Sequence, residues 1–175
     1  MLNLLARFFA GPRTVPPGEW PISTITEPPR FNSSRRAFGP LRFGDALESA
    51  SAFGRPDHFL KSEDDYWELI YAQAGFQIDF DADRLAYIAY FIAPDACLPK
   101  AAPITFSQPV IDSHRLSSTT SPEHVETLFG PPKSREEEEN ELVLSYDENG
   151  LTMEFEFTST TSLKRLNIYP AESQS

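Results

Sequence analysis

The stretch YAQAGFQIDF at residues 71–80 recurs as YDENGLTMEF at residues 146–155, and this repetition decides the expected fold. Two further matches accompany it in the same order. FGRP at 53–56 recurs as FGPP at 129–132, and IAP at 92–94 recurs as IYP at 168–170. The offsets are 75, 76 and 76 positions, so the sequence indicates an internal duplication of a unit of about this length.

Each unit begins with residues typical of a short helix. Asp45 is a candidate N-cap in the first unit. Ser121 is the candidate in the second, with Pro122 at the first helical position, where a missing N–H has no cost. Gly54 and Gly130 stand where a helix commonly ends on a left-handed residue. We therefore predict one short helix at the start of each unit.

Strands are expected after each helix. Apolar and polar residues alternate with period two, which is typical of a strand that buries one face. Turns ending at Gly75 and Gly150 reverse the chain. The last strand of the first unit, Leu85–Ile92, is apolar on both sides, so its register stays open. The expected strands are 66–71, 76–80, 85–92, 141–146, 151–157 and 163–169.

These elements predict an α+β fold made of two tandem repeats. In each repeat a short helix would pack on a three- to four-stranded antiparallel sheet, since this buries the apolar side of both. The expected organisation is a Pro-rich basic arm at 1–37, repeat units at 38–94 and 113–170, a Pro-rich linker at 95–112 and a tail at 171–175.

The tandem pattern resembles a known family. A short helix, a Gly-x-Pro loop and an antiparallel meander, repeated at this period, are similar to the β-lactamase-inhibitor-protein superfamily. The single unit also resembles the small outer-membrane lipoprotein of the barrel-assembly complex. The resemblance covers residues 38–170 and rests on FGRP and FGPP. It implies a binding scaffold whose sheet face contacts another protein. Unlike those exported relatives, whose inhibitor repeats carry disulfides, this chain has the single cysteine Cys97.

Charge narrows the classes of partner. The chain has 175 residues, with 15 Lys and Arg against 26 Asp and Glu, so its net charge is -11. Because phosphate contacts need cations, nucleic acid is not expected to bind the folded body. The arm is basic at +3, and it would either lie on the acidic body or anchor the protein to lipid or a partner. Met1–Ala10 lacks the basic start of a signal peptide, so we expect a cytoplasmic protein.

No motif for a nucleophile, metal or cofactor is found in the sequence. Cys97 is expected to be a loop thiol. Asp79, Asp81 and Asp83 alternate, but the Gly and closing Glu of a calcium loop are missing, so residues 81–84 predict a hairpin turn. The acidic run Glu136–Glu139 predicts either a solvated loop or a contact for a basic partner. The histidines, which lack ligand spacing, are His58, His114 and His124.

The sheet face away from the core is the candidate binding site, because it would combine aromatic and acidic side chains. The alternative is that it packs against the sister unit or the arm. The candidate residues are Tyr66, Glu68, Ile70, Gln77, Asp79, Tyr87, Phe91, Glu154 and Glu156.

Three functions follow as hypotheses. The first is a non-enzymatic acidic scaffold that binds a protein, with an inhibitor or immunity protein as its specific form. The second is a small enzyme or ligand-binding domain with a pocket between the repeats, using His58, His114 or Cys97. The third is a peripheral membrane protein held by Met1–Ala10 and the arginines of the arm.

Overall fold

The computed structural model describes residues 15–95, 103–159 and 161–171. Two of the features singled out above, Cys97 and the apolar stretch Met1–Ala10, lie outside these residues. Within the described ranges, no helix has the length and apolar character needed to cross a membrane.

The described chain is built mainly of strands. One α-helix, α1 (Pro122–Phe129), and two 3-10 helices, Pro17–Glu19 and Leu47–Phe53, accompany them. The strands are β1 (Phe31–Asn32), β2 (Ala37–Phe38), β3 (Leu41–Arg42), β4 (His58–Lys61), β5 (Trp67–Tyr71), β6 (Phe76–Asp81), β7 (Arg84–Phe91), β8 (Val110–Ile111), β9 (His114–Arg115), β10 (Ser134–Glu138), β11 (Glu141–Glu148), β12 (Leu151–Thr158) and β13 (Leu163–Pro170).

These strands form two sheets. The larger has eight strands in the order β10-β11-β12-β13-β7-β6-β5-β4, and every neighbouring pair is antiparallel. The smaller has five short strands in the order β3-β2-β1-β8-β9. Two four-stranded meanders, β4–β7 and β10–β13, therefore meet at the pair β7–β13, where Ile88 lies opposite Ile168.

The expected fold class was wrong. Strands make up 44% and helices 12% of the structure, so the chain is mostly β instead of α+β. There are not two helix-on-sheet repeats, because the last strands of the two meanders pair with each other and merge them into one sheet. The sequence pattern shows which side of a strand is apolar. It does not show which strand lies next to which.

Several local predictions can be compared with the structure. The Ser121 cap is confirmed, since its side chain accepts a hydrogen bond from His124 N at 3.2 Å. The Asp45 cap was wrong: Ala46 precedes the 3-10 helix, and Asp45 accepts from Arg42 N instead. Glu136–Glu139 is not a loop, since most of it forms the edge strand β10.

The expected turns are present. Gly75 and Gly150 have φ angles of 73° and 72°, a left-handed conformation that glycine adopts without strain. Ala82 and Asp83 both have positive φ and connect Asp81 to Arg84, its cross-strand partner. This is the two-residue hairpin geometry that suits the twist of antiparallel strands.

One face of the eight-stranded sheet carries the main core. The small sheet, the 3-10 helix Leu47–Phe53 and α1 all contribute buried side chains to it. Phe38 of the small sheet lies at its centre in the first half, with edge-to-face ring contacts to Phe53, Phe76 and Tyr90 at 5.2–5.7 Å. Such pairs add to the free energy of area burial. The core is continuous across both halves of the sheet.

A β-bulge recurs in both halves. The register shifts between Asp79 and Phe80 on the β6–β7 pair, and between Glu156 and Phe157 on the β12–β13 pair. A bulge places one extra residue on one strand and bends it locally. In β13 that extra residue is Lys164.

The edges of the large sheet differ in chemistry. β10 reads Ser-Arg-Glu-Glu-Glu and is largely exposed. β4 carries Phe59 and Leu60, which are 46% and 63% exposed. One edge is thus charged and the other is apolar.

The joint between β7 and β13 predicts that the halves unfold together. Both tryptophans, Trp20 and Trp67, lie in the first half. Phe155→Ala in the second half removes a fully buried ring and should lower the free energy of unfolding by about 3–5 kcal/mol. We expect the urea midpoint followed by tryptophan fluorescence to fall accordingly.

Glu139→Ala at an exposed site is the control and should change the stability by less than about 0.5 kcal/mol. An unshifted fluorescence transition in Phe155→Ala, with a separate early transition in circular dichroism, would show that the halves unfold independently.

Candidate functional site

The second face of the eight-stranded sheet, here called the outer face, lies opposite the main core. All nine candidate residues lie on it. Cross-strand pairs join Glu68 to Asp79 and Asp79 to Tyr87 in the first half. In the second half, Glu154 lies opposite Asn167. The outer face thus holds both aromatic and acidic groups, and it spans the β7–β13 joint.

Part of this face is covered by the chain itself. Ile70 and Phe91 are buried in a small cluster against which Ile104 of the linker packs. Backbone bonds hold the linker there, from Thr105 N to Ala72 O and from Ser107 N to Phe91 O. The prediction that Ile70 and Phe91 belong to an accessible binding surface was therefore wrong, because the linker occupies that area.

Asp79 lies buried within a polar network near the covered area. The Tyr66 hydroxyl donates to Asp79 Oδ2 at 2.5 Å, and Gln77 Nε2 donates to Oδ1 at 2.9 Å. Burial raises the pKa of Asp79 to about 6, although both hydrogen bonds lower it. Burial and the bond to Asp79 also raise the pKa of the Tyr66 hydroxyl. These groups hold each other in place, and Asp79 itself is too buried to meet a partner directly.

A second network crosses the joint and remains accessible. The Tyr87 hydroxyl donates to Asn167 Oδ1 at 2.7 Å, and Asn167 Nδ2 donates to Glu156. The Tyr169 hydroxyl donates to Glu154 Oε1 at 2.6 Å. The rings of Tyr87 and Tyr169 are stacked with centroids 6.5 Å apart. These residues form an ordered patch on the outer face, which we call the tyrosine patch. Its tyrosines and glutamates are partly exposed, and Asn167 is buried between them.

Lys164 lies at one side of this patch. Its Nζ lies 2.6 Å from Glu141 Oε1, 3.4 Å from Asp95 Oδ1 and 3.7 Å from Glu156 Oε2. Burial disfavours the charged amine, but the bond to Glu141 and the surrounding carboxylates outweigh that effect and raise the pKa of Lys164. Burial raises the pKa of Glu156 as well. Lys164 thus neutralises part of the acidic charge beneath the surface.

Four important residues of this surface escaped the sequence prediction: Lys164, Arg165, Asn167 and Tyr169. They lie on β13, whose register is displaced by the bulge at Lys164. In a regular strand, side chains alternate between the two faces of the sheet. The bulge interrupts this alternation, so a strict period of two assigns the residues before and after it to opposite faces. Two adjacent polar residues, Lys164 and Arg165, stand between Leu163 and Leu166. This break in the alternation was the sign in the sequence that the strand is irregular.

The other candidates do not assemble into a site. His58 lies on the edge strand β4, whereas His114 lies in the small sheet with its ring 5.7 Å from that of Phe129. Across the described ranges no group of three or more His, Cys, Asp or Glu side chains is placed to hold a metal ion. What the tyrosine patch can offer is hydrogen bonding, ring contact and negative charge to a ligand.

Asp79 gives the protein a characteristic pH dependence. The folded carboxyl keeps its proton up to about pH 6, whereas its ordinary pKa is 3.8, so the native state binds more protons between these values. The free energy of unfolding should therefore fall as pH rises from about 4 to about 6, by roughly 3 kcal/mol for a shift of about two pKa units.

Asp79→Asn should remove most of this decrease in the free energy of unfolding, as measured by urea unfolding at pH 4.5 and pH 7.5. The exposed Asp81→Asn is the matched control and should retain it. Equal pH profiles for the wild type and Asp79→Asn would contradict this assignment.

Comparison with known proteins adds little to this geometry. No protein-family model matches the chain, and no curated protein matches it. Among solved structures, the chain is similar to a DUF4309 family protein, YjgB, from Bacillus subtilis subsp. subtilis str. 168. The two are 15% identical with a TM-score of 0.46, over 70% of this chain and 76% of that one.

Proposed function

We propose that the protein is an acidic, non-enzymatic scaffold that binds another protein through the tyrosine patch. The observation that carries this proposal is the ordered set of side chains on the accessible part of the outer face. Tyr87 and Tyr169 are stacked there, and Asn167 and Glu154 hold their hydroxyls. An inhibitor or immunity protein is the specific form that we expect, in line with the resemblance noted from the sequence.

The composition of the patch supports binding. Tyrosine is enriched at protein interfaces because it offers a large ring and a hydroxyl at a small cost in conformational entropy. Hydrogen bonds already fix Tyr87 and Tyr169 in the free protein. Since fewer side chains have to be ordered on association, less of the binding free energy is lost.

The charge indicates the kind of partner. Glu154 and Glu156 lie within the patch, on a chain with a net charge of -11. A basic protein surface is therefore the complementary partner, and electrostatic attraction would increase its association rate most at low ionic strength. The cytoplasmic location stays a prediction from the sequence.

Affinity capture from the native lysate, at low and high salt, tests this proposal. The wild type should recover a basic partner, with recovery falling as salt increases. Glu154→Lys should reduce recovery at least about tenfold, since a charge reversal next to a hot-spot tyrosine costs more than about 1.4 kcal/mol.

Glu27→Lys is the matched control, because it makes the same change in net charge at an exposed position of the arm. It should recover the partner as the wild type does. If Glu154→Lys and Glu27→Lys behave alike, or if no variant recovers a partner at either salt concentration, the proposal fails.

A further inference from the structure

The two Phe-Gly-x-Pro loops have the same backbone shape. Gly54 has φ 75° and ψ -173°, and Gly130 has φ 82° and ψ -164°. Each preceding phenylalanine meets a tyrosine of the sheet at the same distance. The Phe53 and Tyr71 ring centroids lie 6.0 Å apart, as do those of Phe129 and Tyr146. The two halves therefore offer equivalent clefts beside these loops.

In the first half, the chain's own arm packs on the loop and forms one wall of a cleft of about 470 Å³ beside Arg55 and Tyr71. Arg55 N donates to Pro21 O at 2.6 Å, and Ile22 forms a parallel bridge with Arg55. The contact with the loop is close, because a Cβ on Gly54 would lie 2.7 Å from Ser23 Cα. As a result Phe53, Gly54 and Pro56 of the loop are buried.

In the second half, no described segment packs on the equivalent loop. Phe129, Gly130 and Pro132 are partly exposed, and a Cβ on Gly130 would meet nothing within 4 Å. A cleft of about 320 Å³ lies beside the loop, and its lining combines apolar residues such as Pro131 and Met153 with the charged Lys133, Asp147 and Glu148. The same structural motif thus has a segment packed on it in one half and none in the other.

The Tyr146 hydroxyl gives a second and independent sign of a ligand. Tyr146 lines the open cleft and is 5% exposed, and its buried hydroxyl has no hydrogen-bond partner among the described residues. Its counterpart, Tyr71, donates to Gly54 O at 2.9 Å. A buried hydroxyl without a partner is unfavourable, and a ligand carbonyl would satisfy it.

We propose that this second cleft binds an extended, proline-containing segment of a partner protein, in the manner of Pro21–Ser23 on the first loop. Pro21–Ser23 of each copy already packs on its own first loop, so we assign the segment on the second loop to a separate protein. Pro131 stands where Arg55 stands in the first half and has no N–H to donate. The Tyr146 hydroxyl takes over as the donor to a backbone carbonyl of the segment.

This site is distinct from the tyrosine patch. Lys133 and Asp147, which form an ion pair, border both surfaces. The neighbouring Glu148 is exposed and acidic, which favours a segment that is neutral or basic. The recognition mode is the packing of an extended chain on a preformed cleft with both apolar and charged walls, in which proline reduces the entropy lost on binding.

A blocked synthetic peptide with the sequence WPISTI, taken from residues 20–25, serves as the probe for the full-length protein. Amide NMR shifts should saturate and concentrate at 129–133 and 146–153. Gly130→Ala should abolish them, because its Cβ would occupy the position of the peptide backbone. Gly44→Ala is the matched control, since Gly44 has φ 86° and equally open space around it, and it should bind as the wild type does.

Tyr146→Phe separates binding from folding. It removes a hydroxyl that has no partner in the described structure, so the protein should keep its stability while the peptide affinity falls about fivefold, as expected for one hydrogen bond. Unchanged binding in Gly130→Ala, shifts outside the cleft, or no saturable shifts would overturn the proposal. A dimer that Gly130→Ala converts to a monomer would assign the cleft to a second copy and would also overturn it.

Discussion

The pairing of β7 with β13 is the constraint on which the rest of the structure depends. Each meander alone would leave one long strand with unpaired backbone groups at its edge, and unpaired groups away from water are costly. Joining the two long strands satisfies those groups. It also places Tyr87 next to Asn167, and so the tyrosine patch exists only because the halves share one sheet. The small sheet, the 3-10 helix Leu47–Phe53 and α1 then pack on the other face of this single layer and form the main core with it.

The sequence predicted local structure better than assembly. The cap at Ser121, the turns at Gly75 and Gly150, and the hairpin at Ala82-Asp83 each depend on a few adjacent residues, and each is present. The α+β class was wrong because strand partners lie far apart in the sequence, as Ile88 and Ile168 do. The first strand of the second meander, β10, was missed since its acidic residues, which begin at Glu136, have the composition of a solvated loop.

The candidate site was predicted only in part for similar reasons. Alternation along β6 placed Gln77 and Asp79 away from the core, where the structure has them. Alternation could not show that the linker covers Ile70 and Phe91, because a cover is a tertiary contact. Nor could it reach Tyr169, which follows the bulge at Lys164. What the sequence lacks is the position of segments relative to one another.

The different edges of the large sheet limit how it can grow. Open-ended stacking of sheets, as in a fibril, requires each molecule to accept a new strand at both edges. Two β10 edges would place acidic residues opposite one another, so the sheet resists growth by the pairing of that edge with its own copy. The apolar edge at Phe59 and Leu60 carries no such repulsion and could accept a strand. A contact between two apolar edges uses both of them, so it closes a pair of molecules whose outer edges are both acidic.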